Sequence, residues 1–274
     1  MERRVQDPVH MVHRQIWRET GLSEGDRPIP EETAVSLTYN GSSYAVMMAT
    51  PQNLEDFAVG FSLSEGVVSK SSEIDSLEVI PLDDGVELRM WLNHTEADRL
   101  QERRRHIAGP TGCGLCGIDS IAEAMRPAAI VTSRESFHPQ QIMEAMRSLA
   151  PLQTLNIATR AVHAAAFWTP SDGIVALRED VGRHNALDKL AGALARAGTA
   201  TGRGIILLTS RVSVEMVQKA TIIGAPMIVS VSAPTALAVR MAKTAGIALV
   251  AIARADGFEI FAHNDRVLPE TAPA

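Results

Sequence analysis

The sequence predicts an α/β protein in which a parallel sheet, covered by helices on both faces, follows a smaller α+β lobe. Past residue 170, near-continuous apolar runs at Ile174–Leu177, Ile205–Leu208, Met227–Val231 and Ile247–Ile252 alternate with helical runs at Asn185–Ala197, Val214–Ile223 and Thr235–Ala245. Apolar strands spaced by helices of about ten residues or more mark a parallel sheet buried on both sides. Ahead of that alternation the chain carries short β-rich runs joined by turn sequences. A shift in composition at Arg126-Pro127 separates the two, giving an opening segment 1–30, a lobe 31–127 and an α/β domain 128–274. With 274 residues, 46% of them hydrophobic and 21% charged, the chain has the makeup of a soluble globular protein able to bury a sizeable core.

In chain order, residues up to about Pro30 mix Arg, Glu, Gln and His without clean periodicity and read as a tail or loosely docked arm. His10 and His13 have the spacing of metal ligands on a helix but lack acidic or thiol neighbours, so they read as part of a polar tail. The runs Thr33–Tyr39 and Ser42–Met48 flank Asn40-Gly41, and this dipeptide between alternating runs is a hairpin signal because both residues tolerate positive φ. A helix is predicted from about Asn53, an N-cap type, with Leu54, Phe57, Ala58, Phe61 and Leu63 apolar and Gly66 at its stop. Its acids Glu55, Asp56 and Glu65 read as solvated, with a site-facing role as the alternative for an acid at a helix end. Leu77–Ile80 and Val86–Leu92 form a second strand pair around Asp83-Asp84-Gly85, and a charged helix is expected from Thr95 to about His106. Past the boundary, a short strand Ala128–Thr132 and a helix His138–Leu149 ending at Pro151 are expected.

Several function classes are disfavoured by bulk properties. A net charge of -6 gives no broad footprint for nucleic acid. The opening 30 residues hold no apolar secretory run, and Ala245–Ala253 is too short to span a bilayer. A soluble cytoplasmic protein is the expectation, and in that compartment a C-x-x-C pair is reactive more often than structural.

Such a pair is present. Gly109–Gly117 reads G-P-T-G-C-G-L-C-G and holds the chain's two cysteines, Cys113 and Cys116. Glycines on every side allow a loop that bends close to a ligand. Structural zinc needs four ligands, and no second pair exists, although His106 keeps a mixed or subunit-shared site open. A thioredoxin-like dithiol fits the spacing, but that motif follows the first strand of a small domain. Arg103-Arg104-Arg105 before the loop read most simply as a solvated face, with stabilising a thiolate as the alternative, and a helix predicted to start after Cys116 would also favour a thiolate. Sulfur chemistry is the leading reading, with no structural metal.

Residues after the predicted strands are polar in a repeated way: Glu179–Asn185, Thr209-Ser210-Arg211, Ser230-Val231-Ser232 and Arg254–Gly257. Open α/β sheets bind ligands at that edge, where hydroxyls, arginines and helix N-terminal amides suit phosphates. Arg183, His184, Ser210, Arg211 and Ser232 are the phosphate-side candidates, with helix capping as the alternative role for His184; Asp180 or Asp256 could pair with a guanine edge. None of these strand-end stretches matches a dinucleotide fingerprint or a P-loop.

The long stretches Ala49–Gly66, Cys113–Gly117, Val162–Ala166, Glu179–Lys189, Thr209–Lys219 and Gly224–Thr235, in this order, resemble the formate dehydrogenase accessory sulfurtransferases of the FdhD/NarQ family. The resemblance implies a three-layer, cytidine-deaminase-like larger domain, and a carrier that takes sulfane sulfur from a cysteine desulfurase. It places the persulfide on Cys113, with Cys116 resolving it or accepting the sulfur in relay. The recipient is the bis(molybdopterin guanine dinucleotide) molybdenum cofactor, bound as substrate, with GMP or GDP as analogues of its halves. The implied client is the catalytic subunit of formate dehydrogenase, and the implied assembly is a homodimer. The family's dinucleotide region matches Phe258–Asp265 and adds Phe258, Ile260, Phe261, Ala262, His263 and Asn264 to the candidates. One departure stands out. The family has a glycine pair before the histidine of the third stretch, where this chain has Arg160-Ala161, so a turn needing positive φ would strain Ala161. A cofactor-inserting chaperone without enzymatic activity is the alternative function. A zinc deaminase would need a proline before its first cysteine, and Gly112 stands in that place here.

Overall fold

The computed structural model describes residues 4–93 and 126–269. The opening segment, expected to lack regular structure, instead forms an antiparallel ribbon of β1 (Val9–Arg18) and β2 (Gly21–Pro30), in register from Val9 opposite Pro30 to Arg18 opposite Gly21. Its ladder bonds are internal, so it needs no apolar periodicity, and Trp17 and Leu22 at its tip stay exposed. Arg27 ties its base to the body by donating to the Thr159 carbonyl at 3.2 Å. His10 and His13 lie on a strand, where a separation of three sends them to opposite faces; they meet Glu31 at 2.6 Å and Asp26 at 3.0 Å, respectively.

The second sheet has the order β4-β3-β6-β5. Asn40 (φ 50°) and Gly41 (φ 75°) turn β3 (Thr33–Tyr39) into β4 (Ser42–Ala49), as the dipeptide predicts. The chain then forms α1 (Leu54–Ser64), β5 (Ile74–Pro81) and β6 (Val86–Leu92), and β6 runs parallel to β3. Leu54, Phe57, Ala58 and Phe61 of α1 cover Val35, Leu37, Tyr39, Leu88 and Met90. Each fully buried side chain of this size contributes ~2 kcal/mol. Asn53 precedes α1 with φ 53°, but its side chain makes no capping bond, and Gly66 (φ 67°) closes the helix end.

The largest sheet has the order β12-β11-β10-β9-β7-β8. It is built from α2 (Pro139–Leu149), α3 (Thr154–Thr159), β7 (His163–Thr169), β8 (Gly173–Asp180), α4 (Arg183–Arg196), β9 (Ile205–Leu208), α5 (Val214–Ile223), β10 (Met227–Ser230), α6 (Ala236–Ala245), β11 (Ala248–Arg254) and β12 (Gly257–Ala262). Only β9, β10 and β11 run parallel; β7, β8 and β12 join antiparallel, so the sheet is mixed rather than parallel throughout. Along β9 the side chains alternate between faces. Ile206 and Leu208 pack under α4, α5 and α6. Ile205 and Leu207 pack under Ile142, Ala145 and Leu149 of α2. Helices therefore cover both faces, giving three layers.

The predicted strand at Ala128–Thr132 does not form; the segment docks on the end of α6, with Val131 N–H donating to the Ala245 carbonyl at 2.8 Å. The positive φ near the third family stretch falls on Arg160 (59°), at the end of α3, and not on Ala161. No helix among the described residues is long and apolar enough to cross a membrane.

The two sheets join where α1 crosses α4. A Cβ at Gly60 would stand 1.7 Å from the Asp188 carbonyl oxygen, and one at Gly192 would stand 1.9 Å from that of Asp56. Backbone meets backbone there, and only glycine permits it.

Candidate functional site

The parallel strands β9, β10 and β11 end on one edge of the large sheet. Because β7 runs antiparallel to β9, and β8 antiparallel to β7, the start of β7 and the end of β8 reach the same edge, with His163 opposite Asp180. Thr209 Oγ1 accepts from Ala164 N–H at 2.8 Å, and Val212 is bridged to Pro234, so the loops after β9 and β10 run side by side. The N-termini of α4, α5 and α6 open here, the last capped by Thr235 Oγ1 accepting from Ala238 N–H at 3.2 Å. Ile252 (φ 52°) lies in the irregular stretch of β11 beside the rim and donates to the Ser232 carbonyl at 3.3 Å. A β-branched residue rarely accepts that backbone conformation, and such strain gathers at functional edges.

Most of the polar candidates reach this rim, though not all are available to a ligand. Asp180 is fully buried: its Oδ2 accepts from Lys189 Nζ at 2.6 Å and Thr50 N–H at 3.0 Å, and its Oδ1 from Gly182 N–H at 2.7 Å and Asn185 Nδ2 at 3.0 Å. These four donors occupy the carboxylate, which corrects its reading as a partner for guanine. Ser210 is also buried, its carbonyl accepting from Ser230 Oγ at 2.7 Å. Ser232 is half-buried, and Arg211 and Asp256 are exposed.

Arg183, His184, Ser213 and Glu215 share a different property. Arg183 Nε, His184 Nε2, Ser213 Oγ and Glu215 Oε2 are each buried without a hydrogen-bond partner, and they sit at the adjoining starts of α4 and α5. Buried polar atoms left unpaired in a native fold call for an explanation, and a ligand is one. Burial first, then the positive charges of Arg183 and Lys219, push the His184 imidazole down to about 4, against an ordinary 6.5, so it is neutral at physiological pH. His163 is lowered as well, by burial and then by Arg183. Sequence reading missed Ser213 and Glu215; the signal was the hydroxyl and acid opening a helix directly after a rim strand.

The Phe258–Asn264 segment is not gathered at the rim. Gly257 pairs with Arg254 at the edge, but Ala262 pairs with Leu249 near the opposite end of the strands, and His263 Nε2 lies 3.1 Å from the Lys243 carbonyl there. Phe258 therefore stays close to the rim, Ile260 and Phe261 lie along the sheet's outer edge, and Ala262, His263 and Asn264 lie at the far end. Cys113 and Cys116, with the predicted helices on either side of them, fall outside the described residues.

Beneath the rim, buried ions bind the two sheets together. Lys219 Nζ lies 2.9 Å from both Asp188 oxygens, donates to Ser64 Oγ at 2.8 Å and reaches Glu65 at 3.1 Å. Asp56, which sequence reading left in solvent, is buried between Arg178 and Arg196. Glu65, also read as solvated, is partly buried in this network. On α4, Asn185, Asp188, Lys189 and Gly192 recur at helical spacing, a polar stripe in an otherwise Ala/Leu helix. Where the description resumes, Arg126 donates to the Ser64 carbonyl at 2.8 Å, and its own carbonyl accepts from Gln218 Nε2 at 2.8 Å. Among the described residues no three His, Cys, Asp or Glu side chains gather as a metal site would require.

The family profile described as FdhD/NarQ matches residues 30–268. A protein of Agrobacterium fabrum named sulfur carrier protein FdhD is 52% identical over 94% of this chain and 95% of its own length. Proteins of the same name from Brucella abortus and Cupriavidus necator are 47% and 48% identical, over 94% of this chain and 96% and 90% of theirs. The fold matches a crystal structure from Desulfotalea psychrophila, assigned as a formate dehydrogenase accessory protein, with a TM-score of 0.77 at 24% identity, over 95% of this chain and 99% of that one.

Proposed function

This chain belongs to the FdhD/NarQ family, and on that premise we propose that it is a sulfur carrier serving a formate dehydrogenase. The observation that carries the reading is the Cys113/Cys116 pair in a glycine-rich stretch of sequence, the chain's whole stock of thiols, within a sequence whose relatives are named sulfur carriers. The Cys113 thiolate attacks the terminal sulfur of a cysteine desulfurase persulfide; the donor S–S bond breaks, the desulfurase leaves as a thiolate, and Cys113 holds a persulfide. Cys116 then attacks the inner sulfur, releasing the terminal one as sulfide to the acceptor and leaving a Cys113–Cys116 disulfide that a dithiol must reduce. In the relay alternative, Cys116 takes the terminal sulfur and passes it on.

The acceptor in this proposal is the bis(molybdopterin guanine dinucleotide) molybdenum cofactor, held as substrate, with GMP or GDP standing in for its halves. Support comes from the rim's unpartnered atoms: a fixed donor on Arg183, a fixed acceptor on Glu215, and two groups, His184 and Ser213, able to do either. A heterocycle edge that alternates N–H and C=O satisfies such a set better than a phosphate would, since Glu215 repels anions and His184 carries no charge. Glu215 thus takes the guanine-facing role that the sequence offered to Asp180 or Asp256, and exposed Arg211 remains the phosphate-side residue. The proposed setting is cytoplasmic and the proposed assembly a homodimer.

Incubation with a cysteine desulfurase and cysteine, followed by intact mass measurement, tests the carrier role: a gain of about 32 Da on a cysteine is expected from thiolate attack on a persulfide. A chain that binds the molybdenum cofactor yet gains no sulfur is a chaperone instead.

A further inference from the structure

Away from the rim, at the opposite end of the parallel strands, a cavity of about 710 Å³ is lined by Ser133, Arg134, Glu135, Ser136, Gly202 and Arg203. Gly202 and Arg203 lead into β9, and Ser133 Oγ donates to the Gly202 carbonyl, joining the two lining segments. Next to Ser136, Phe137 is bridged to Val267, and its N–H donates to the Arg266 carbonyl at 3.0 Å.

Arg266 is the unusual residue here. Its side chain is 1% exposed, the largest fully buried one among the described residues. Nη1 donates to the Pro226 carbonyl at 3.2 Å, but Nε and Nη2 are buried with no partner. No described carboxylate lies within ion-pair distance of Arg266, Arg134 or Arg203. Burial and the nearby positive charge of Arg134 hold the Arg266 guanidinium below its ordinary range, with Asp265 opposing them. A buried guanidinium with idle donors and no counter-charge is costly unless an anion reaches it. Two more arginines at an adjoining polar cavity supply the electrostatics that draw one in, against the single acid Glu135 on its wall.

We propose that this cavity is a binding site for a phosphate-type anion, with Arg134 and Arg203 as its contacts and the uncompensated guanidinium of Arg266, behind its wall, adding to the positive potential. Its volume exceeds the needs of inorganic phosphate and falls in the range of small-molecule pockets, so a phosphomonoester is the better-fitting ligand. Sulfur loading through Cys113 does not involve it.

Isothermal titration of the full chain with inorganic phosphate and with glycerol phosphate, in low-chloride buffer, tests the assignment. Saturable one-site binding is expected, tighter for glycerol phosphate and weakened at least about tenfold in the Arg134→Gln/Arg203→Gln double variant, as loss of charged hydrogen bonds implies. Inorganic phosphate binding tighter than the ester would keep the anion site and assign it to the free ion. Both arginines of the double variant lie at the surface, so its fold is retained. Arg266→Met keeps the volume and is expected to weaken binding by removing a nearby positive charge; should it fail to fold, the double variant decides alone. Absence of saturable heat, or equal affinity in the parent and the double variant, overturns the proposal.

Discussion

Gly60 and Gly192 face each other where α1 and α4 cross, each so near the other helix that a methyl group would overlap a carbonyl oxygen. Gly60→Ala is therefore expected to destabilise the fold by ~3 kcal/mol or more, because the obstacle is rigid backbone. Gly25→Ala, where the nearest atom would be the Ile16 Cδ1 at 3.9 Å, should shift stability by no more than ~0.5 kcal/mol. Urea unfolding of both variants checks the contrast.

Asp180 and Glu215 are expected to respond in opposite ways. Asp180→Asn removes the counter-charge of fully buried Lys189 and should cost ~3–5 kcal/mol. Glu215→Gln removes an idle buried acceptor, so thermal stability should hold or rise. Guanine nucleotide affinity is the second readout: it should fall about tenfold or more in Glu215→Gln, as loss of a charged hydrogen bond implies.

Arg211→Ala is expected to weaken GDP binding more than guanosine binding, since the exposed guanidinium is assigned to the phosphate side. Equal losses for both ligands would remove Arg211 from that role. Titration calorimetry separates the two outcomes.

His184 sets a pH dependence. The unfolded chain protonates this imidazole near its ordinary 6.5, whereas the folded protein resists until about 4. Between those values the unfolded state binds more protons, so stability falls as pH drops through the window, by on the order of 2–3 kcal/mol from this residue. In His184→Gln the difference in unfolding free energy between pH 7 and pH 5 should shrink relative to the parent.

Cys113→Ser is expected to abolish sulfur loading, whereas Cys116→Ser should load and then release sulfur slowly, for want of a resolving thiol. Intact mass over time reads both steps. Normal loading in Cys113→Ser would transfer the first role to Cys116.

What the sequence made legible was local. Asn40-Gly41 dictated a turn, and the apolar run Ile205–Leu208 was a strand with its predicted limits, because backbone preference and burial agree at both places. Strand β7 escaped notice since His163–Thr169 is rich in alanine, a weak strand former, used there because helices pack closely on both faces. Strand direction was illegible: nothing in a run of apolar residues says whether its neighbour runs parallel. At the rim, residue types marked the right edge, but only the fold revealed that Asp180 spends its oxygens on Lys189, Thr50, Gly182 and Asn185 while Glu215 keeps one idle.

The ionic seam also bears on how the chain comes apart. Lys219 answers to Asp188 on its own half and to Ser64 and Glu65 on the other, and Asp56 of the first half holds two arginines of the second. Cutting the gene at Pro127 would strand those charges in two fragments, and neither is expected to fold by itself. Unfolding of the intact chain is accordingly expected as one cooperative transition spanning both sheets.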